Sequence, residues 1–543
     1  MTVCFAVIVF LVLANPIVGQ DVLVTVEQGV LRGSAETNVF GTAFTAFRGV
    51  PYAEAPIGEL RFQAPQPAVS WSGVRDALSE GPACTQVPLG MPSMSDPGAE
   101  DCLFLNIYVP ANSTGAAPVL VWFPGGAFKA GSGTALNYSP DLFIEQGVAV
   151  VTVNYRLSAL GFLSTEDEVI PGNAGLKDQQ LALSWVHRNI ARFGGDPQLL
   201  ALQGQSAGGV SVSLHLVSPL SAGLFSRLII ESANFIGRPM PLQAARNNAF
   251  RLGAALGFQT DDSQQLVDFL RSVSATDLLV KNSLIMTEED KLLWSYAVWW
   301  PHIEPKLDGA FISESPIQAL IDGRFPQVPI MTGVTSGEGG SGILSNTDKI
   351  NTLNNMFVES VGPCVHLSTV EKQQEAALRL REFYFGNDTI SADNPDPLVH
   401  FNLDMGIFEP TDALVRKVTE ITELPVFYYV FDYRGENVNA DEWGVYHSGE
   451  LPFLFLSKST DYNFDPESEE DHVRRNMLRY WTNFTKYGNP TPVADPVVWE
   501  SYNNETRSYM LMQANFSIAH DKDGERMNFW NKNIPLQPYA DDL

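Results

Sequence analysis

The chain has 543 residues, 45% of them hydrophobic and 18% charged, which is an ordinary globular composition. Its formal net charge of −28 argues against nucleic acid or an anionic membrane as a partner. Length alone suggests several domains. No Gly-, Ser- or Pro-rich linker divides the chain, however, and no repeat is evident, so residues 20–543 read as one domain with insertions.

The N-terminal run from Met1 to Ala14 is apolar but too short to span a bilayer comfortably. It ends in Asn15-Pro16-Ile17-Val18-Gly19, a cleavage-like region. Residues 1–19 therefore read as a secretory signal peptide lacking the usual basic start, which makes the protein extracellular. No later stretch is long and apolar enough to be a membrane span.

Val22–Val26 and Gly29–Gly33 read as an N-terminal hairpin, continued by β character from Phe44 to Val50. Val119–Phe123 and Val148–Val153 are unbroken apolar runs, the pattern of strands buried on both faces of a parallel sheet. Leu176 to Arg192 reads as a helix, and Leu199–Leu202 as the next strand. Arg227–Ser232, Val328–Gly333 and Val426–Phe431 are further buried strands. The stretch from about Pro239 to Pro305 reads as a mostly helical insertion holding Trp294, Trp299 and Trp300. Those tryptophans either line a substrate site or pack the insertion onto the core. Strands alternating with helices predict an α/β fold, a large mostly parallel sheet with helices on both faces.

After the strand at Leu199–Leu202 comes Gly204-Gln205-Ser206-Ala207-Gly208, followed by a helical run. A strand–turn–helix with G-x-S-x-G is the pattern of a nucleophile elbow, which exposes a serine hydroxyl on a sharp turn. Serine is a weak nucleophile at neutral pH, so it needs a base, and the base needs an orienting carboxylate. Glu338 lies in a Gly-rich loop just past the strand Val328–Gly333, where such groups gather. His447 lies in the loop Gly444–Pro452. His187 and His215 fall on predicted helices and make poorer bases, whereas His302, in an aromatic loop, is the main competitor. Phe123-Pro124-Gly125-Gly126-Ala127-Phe128 is a small-residue turn after a buried strand. Its Gly126 and Ala127 N–H groups, with that of Ala207, are the candidate oxyanion donors. Nothing in this chemistry calls for a metal or an organic cofactor.

Beyond the signal segment the cysteines are Cys84, Cys102 and Cys364. In an oxidising compartment Cys84 and Cys102 suit a short loop closure and Cys364 is left over. Sequons begin at Asn112, Asn137, Asn387, Asn483, Asn504 and Asn515, candidate glycosylation sites that fit secretion.

Several blocks together resemble the type-B carboxylesterase family, which includes cholinesterases and insect esterases. They are Phe47–Ala53, Glu100–Tyr108, Asn154-Tyr155-Arg156, Gly161-Phe162-Leu163, Phe193–Pro197 and the elbow, and the resemblance covers essentially the whole mature chain. It implies an α/β-hydrolase fold, a Ser206–His447–Glu338 triad acting through an acyl-enzyme on a small, hydrophobic ester, and a Cys84–Cys102 disulfide. The family often has His and a third Gly in the oxyanion turn, where Pro124 and Ala127 stand here. The Cys84–Cys102 stretch contains no Trp, and Gln205 precedes the serine where cholinesterases have Glu, so choline esters are not the expected substrate. The Gly-Gln-Ser-Ala-Gly elbow is similar to that of insect juvenile hormone esterases. A broad carboxylesterase, a lipase or amidase, and a catalytically silent recognition protein on the same fold are the other readings.

Overall fold

The computed structural model describes residues 19–87, 96–111, 115–237, 244–294, 297–365, 367–457 and 465–537. Residues 1–18 of the expected signal segment 1–19, and Asn112, lie outside them.

The first strands are β1 (Asp21–Val26), β2 (Gly29–Thr37), β3 (Ala43–Pro51), the short β4 (Val74–Asp76) and β5 (Phe104–Pro110). Next come β6 (Ala117–Phe123), β7 (Ala149–Val153), β8 (Gly195–Gln205), β9 (Arg227–Glu231), β10 (Ile330–Thr335) and β11 (Val426–Phe431). The last are β12 (Ala440–Asp441), β13 (Gly444–Val445), β14 (Ser508–Met512) and β15 (Phe516–His520). All but β12 and β13 join one sheet, ordered β1-β2-β3-β5-β7-β6-β8-β9-β10-β11-β14-β15, with β4 beside β2. Pairing is parallel from β7 through β14 and between β2 and β4, and antiparallel elsewhere.

The apolar runs become the inner strands because both of their faces are covered. Along β6, Val119 and Val121 point into one apolar layer and Leu120 and Trp122 into the other. The first layer is closed by the helices Ala174–Asn189, Ala207–Val217 and Glu409–Ile421. The second is closed by Asp141–Glu145 and Glu469–Tyr487. A fully buried Val, Leu or Ile stabilises by roughly 1.5–3 kcal/mol, whereas an exposed ion pair contributes about 1 kcal/mol or less, so these layers hold the sheet.

Register brings the inner strands to a common edge. Phe123 pairs with Gly204, Gln205 with Glu231, Gly333 with Glu231, and Thr335 with Phe431. The C-terminal ends of β6, β8, β9, β10 and β11 thus lie side by side, and the loops that follow them gather at one rim, where α/β sheets hold their ligands.

The expected helix Leu176–Arg192 is observed as Ala174–Asn189 followed by a tighter turn, Ile190–Phe193. The elbow strand is longer than expected, because β8 begins at Gly195. The insertion contains the helices Ala244–Ala255, Ser263–Ser272, Ala275–Val280 and Glu288–Leu292. No helix among the described residues is long and apolar enough to cross a membrane.

Candidate active site

Ser206 sits between β8 and the helix Ala207–Val217 with φ 59° and ψ −125°. L-residues avoid this conformation, which costs of order 1–3 kcal/mol and persists only where surroundings enforce it. Here the Ser206 N–H donates to Glu231 O on the next strand at 2.9 Å. Close backbone approach also fixes the turn. A Cβ on Gly208 would stand 2.1 Å from Phe123 O, and one on Gly204 would stand 2.4 Å from Gly208 O. Only glycine lets the helix start this near β6 and β8.

The turn after β6 faces the same place. Gly126, Ala127 and Phe128 all have positive φ, at 123°, 55° and 57°. Gly126 O accepts from the N–H groups of Lys129 and Ala130 at 2.9 and 3.1 Å. Pro124 O accepts from the Tyr155 hydroxyl at 2.7 Å, and the Gly131 N–H donates to Gln86 Oε1 at 2.8 Å. Among the described residues no hydrogen bond uses the N–H groups of Gly126, Ala127 or Ala207. Ala207 is the first residue of its helix, so its N–H has no partner within the helix. Ala127 keeps the donor that a glycine would supply, with a methyl added.

Glu338, at φ 43°, follows β10. Its Oε1 accepts the Thr335 N–H at 2.7 Å, and its own N–H donates to Val445 O at 2.9 Å. Val445 N–H donates in turn to Ser336 Oγ at 2.9 Å. These bonds tie the Glu338 loop to β13, two residues before His447. His447 Nδ1 then lies 2.5 Å from Glu338 Oε2. The Glu338 side chain is 1% exposed and that of His447 33%. Burial lowers the His447 pKa, but the charge and hydrogen bond of Glu338 outweigh it and hold the pKa above its ordinary value. The proton on Nδ1 leaves Nε2 as the acceptor, and Nε2 lies 3.2 Å from Gln205 Nε2. No hydrogen bond from Ser206 Oγ to His447 occurs among the described residues.

Two more carboxyls stand behind this pair, and the sequence reading assigned neither a role. Glu231, at the end of β9, and Glu450, three residues past His447, are both fully buried. Glu231 Oε1 accepts from Gln203 Nε2 at 3.0 Å and from Trp481 Nε1 at 2.7 Å. Neither oxygen of Glu450, nor Glu231 Oε2, has a partner of normal geometry among the described residues. Burial, with the Glu338 charge, pushes Glu450 up to about 7. Burial, with the Glu450 charge, pushes Glu231 well above the carboxylate range. A raised carboxyl stabilises the fold fully below its unfolded value near 4.5, and that contribution is lost as pH rises toward about 7. Glu450→Gln, which cannot ionise, is therefore expected to gain stability over the parent between pH 5 and pH 8, by up to about 3 kcal/mol. Melting temperatures at both pH values check this, and an equal difference at the two would contradict it.

The competing histidines are held elsewhere. His215 is buried between Ser221 Oγ at 2.7 Å and Gln179 Oε1 at 3.2 Å, and burial lowers its pKa to about 3. The His302 backbone is clamped by Asn173, which accepts its N–H at 3.1 Å and donates to its carbonyl at 2.6 Å. His187 lies on the helix Ala174–Asn189. Trp299 is buried with Nε1 donating to Asn282 Oδ1 at 2.7 Å, and Trp294 packs on Phe401. Trp300 meets Phe128 edge-on at 4.9 Å, which places it beside the turn after β6. Cys84 and Cys102 are joined by a disulfide, and the buried Cys364 thiol donates to Ser360 O at 3.5 Å. Asn387, Asn504 and Asn515 are exposed. Asn137 is half-buried, and Asn483 lies within the helix Glu469–Tyr487 with its amide nitrogen donating to Pro490 O at 2.9 Å.

Comparison with known proteins gives this geometry a context. The sequence profile of the carboxylesterase family matches residues 20–530. A carboxylic ester hydrolase from Bombus ignitus is 32% identical, over 93% of this chain and 92% of its own length. A juvenile hormone esterase from Tribolium castaneum is 31% identical, over 96% and 95%. A cholinesterase from Mus musculus is 30% identical, over 95% and 87%.

Proposed function

Because this chain belongs to the carboxylesterase family, and so is a carboxylic ester hydrolase on an α/β-hydrolase fold, we propose that it works through Ser206, His447 and Glu338. The observation that carries this reading is the Glu338–His447 hydrogen bond, set beside a serine on a strained turn. His447 Nε2 takes the proton of Ser206 as its Oγ attacks the ester carbonyl. Glu338 orients the imidazole and stabilises its charged form. The unused N–H groups of Gly126, Ala127 and Ala207 stabilise the oxyanion, each worth about 3 kcal/mol in such sites. Collapse expels the alcohol, which takes the proton from Nε2. Water then attacks the acyl-enzyme by the same route, with no metal or organic cofactor.

The protein is secreted on this reading, as the N-terminal apolar run and the disulfide suggest. Exposed Asn387 and Asn515 are then its glycosylation sites. At Asn483 and Asn504 the amide nitrogen that a glycan needs already donates within the fold, to Pro490 O and Arg416 O. The substrate is a hydrophobic ester. Juvenile hormone is our specific choice, supported by Gln205 before the nucleophile and by the name of the Tribolium relative. A broad carboxylesterase is the second reading, favoured by equal likeness to the Bombus relative, whose name specifies no ester.

The test is hydrolysis of a panel holding juvenile hormone, short- and long-acyl nitrophenyl esters and acetylthiocholine, with organophosphonate labelling alongside. A higher kcat/KM for juvenile hormone than for every other member supports the specific reading. Similar values across the simple esters support the broad one. Folded protein with neither turnover nor labelling would leave a silent recognition protein and overturn the esterase mechanism.

A further inference from the structure

The geometry points to Gln205 as a positioning residue whose side-chain amide caps the His447 base in the free enzyme and yields that place when an ester binds. This inference rests on the esterase reading above.

Gln205 is the last residue of β8, directly before the nucleophile, and its side chain is buried. It lies against the oxyanion turn, because a Cβ on Gly125 would stand 2.5 Å from Gln205 O and 3.4 Å from Gln205 Oε1. With Oε1 on that side, Nε2 is left to face His447, 3.2 Å from the ring Nε2. Glu338 holds the proton on Nδ1, so the facing ring nitrogen carries a lone pair and the amide donates to it. That lone pair is the one that must accept the Ser206 proton. The amide and the hydroxyl therefore compete for a single acceptor. The amide holds it in this structure, and among the described residues no hydrogen bond runs from Ser206 Oγ to the ring.

The competition has a definite sign. A donor to Nε2 stabilises the neutral imidazole and so lowers its basicity. The charged or titratable groups facing His447 are all acidic and lie elsewhere around it. Glu338 is on Nδ1, Glu450 is on its own loop, and Glu231 is behind Glu450 at the end of β9. Glu338 and Glu450 favour the imidazolium, and Gln205 opposes them at the reactive nitrogen. An ester in the site brings its carbonyl to the oxyanion turn against which Gln205 rests. The amide is displaced there and Nε2 is released to Ser206. Binding of the substrate and activation of the nucleophile become one event.

The experiment is the pH dependence of kcat/KM and of kcat between pH 5 and 9 for nitrophenyl butyrate. It compares the parent enzyme, Gln205→Met, Gln205→Leu and Gln205→Glu, with melting curves to confirm folding. kcat/KM reports the free enzyme and kcat the bound one. The two donorless variants are expected to raise the acid-side midpoint of kcat/KM by about half to one pH unit, the effect of one ordinary hydrogen bond. Gln205→Glu, which places a carboxylate at Nε2, is expected to raise it further. The midpoint of kcat should stay near the parent's in the donorless variants. A kcat/KM midpoint that stays or falls, or kcat and kcat/KM midpoints that move together, would overturn the inference. So would rates lowered equally at every pH, as for a residue that only packs. The parent enzyme's own turnover separates these results from failure of the esterase reading, which would abolish activity in every protein tested.

Discussion

Ser206→Ala is expected to remove ester turnover by roughly 10^5-fold while the protein stays folded. Alanine removes the only atom that can form the acyl-enzyme and leaves the oxyanion N–H groups, the source of any residual rate. It keeps the same φ of 59°, so the strain of the turn is unchanged and the melting temperature should match the parent's within about a degree. Ser206→Gly separates chemistry from strain. It is equally inactive, but glycine relaxes in this conformation, so it should be more stable than the alanine variant by up to about 1 kcal/mol. Steady-state rates with active-site labelling, and melting curves for the three proteins, check both parts. Turnover that survives in a clean Ser206→Ala preparation would remove the serine from the mechanism.

Glu338→Gln is expected to cost about 10^4-fold in kcat with little change in fold, and the cause is specific to this loop. Oε1 of Glu338 already accepts the Thr335 N–H at 2.7 Å. A glutamine must put its carbonyl oxygen there, because its NH2 would meet another donor. The NH2 then faces His447 Nδ1, where Oε2 now accepts at 2.5 Å. An amide donor at Nδ1 selects the tautomer with the proton on Nε2, and that ring cannot take the proton of Ser206. Glu338→Asp keeps the carboxylate but shortens its reach and should lose less. If Glu338→Gln retained more than a tenth of the parent rate, the imidazole would not depend on Glu338 for its tautomer.

The inner sheet was legible because parallel strands covered on both faces are written as unbroken apolar runs, as in β6, β7, β9, β10 and β11. The elbow was legible because its glycines answer a local crowding of backbones. Strand β5 shows in the sequence only as part of the block Glu100–Tyr108. The helix Glu469–Tyr487 went unassigned, because its buried Met477 and Trp481 are diluted by charged neighbours. The buried carboxyls of Glu231 and Glu450 were beyond reach for a different reason. Nothing local distinguishes a glutamate that will be sealed under a histidine from one that will be solvated. The contact between Gln205 and His447 spans 242 residues and exists only once β8 and the loop after β13 share a rim. His302 shows the converse, since an aromatic neighbourhood that looked reactive proved to be a clamp held by Asn173.

The common edge of the sheet bears on how such a protein diverges. Ser206, Glu338 and the turn after β6 each follow a different inner strand, and the register of those strands brings them to one rim. Around Gly204 and Gly208, backbone stands where any side chain would have to go, so drift at those positions is closed off. At Gly115 and Gly342, by contrast, nothing stands within 4 Å of an added Cβ. Mutation can change such positions while Ser206 stays where the strands put it. Relatives 30–32% identical to this chain can therefore share ester hydrolysis and carry names that differ in the ester.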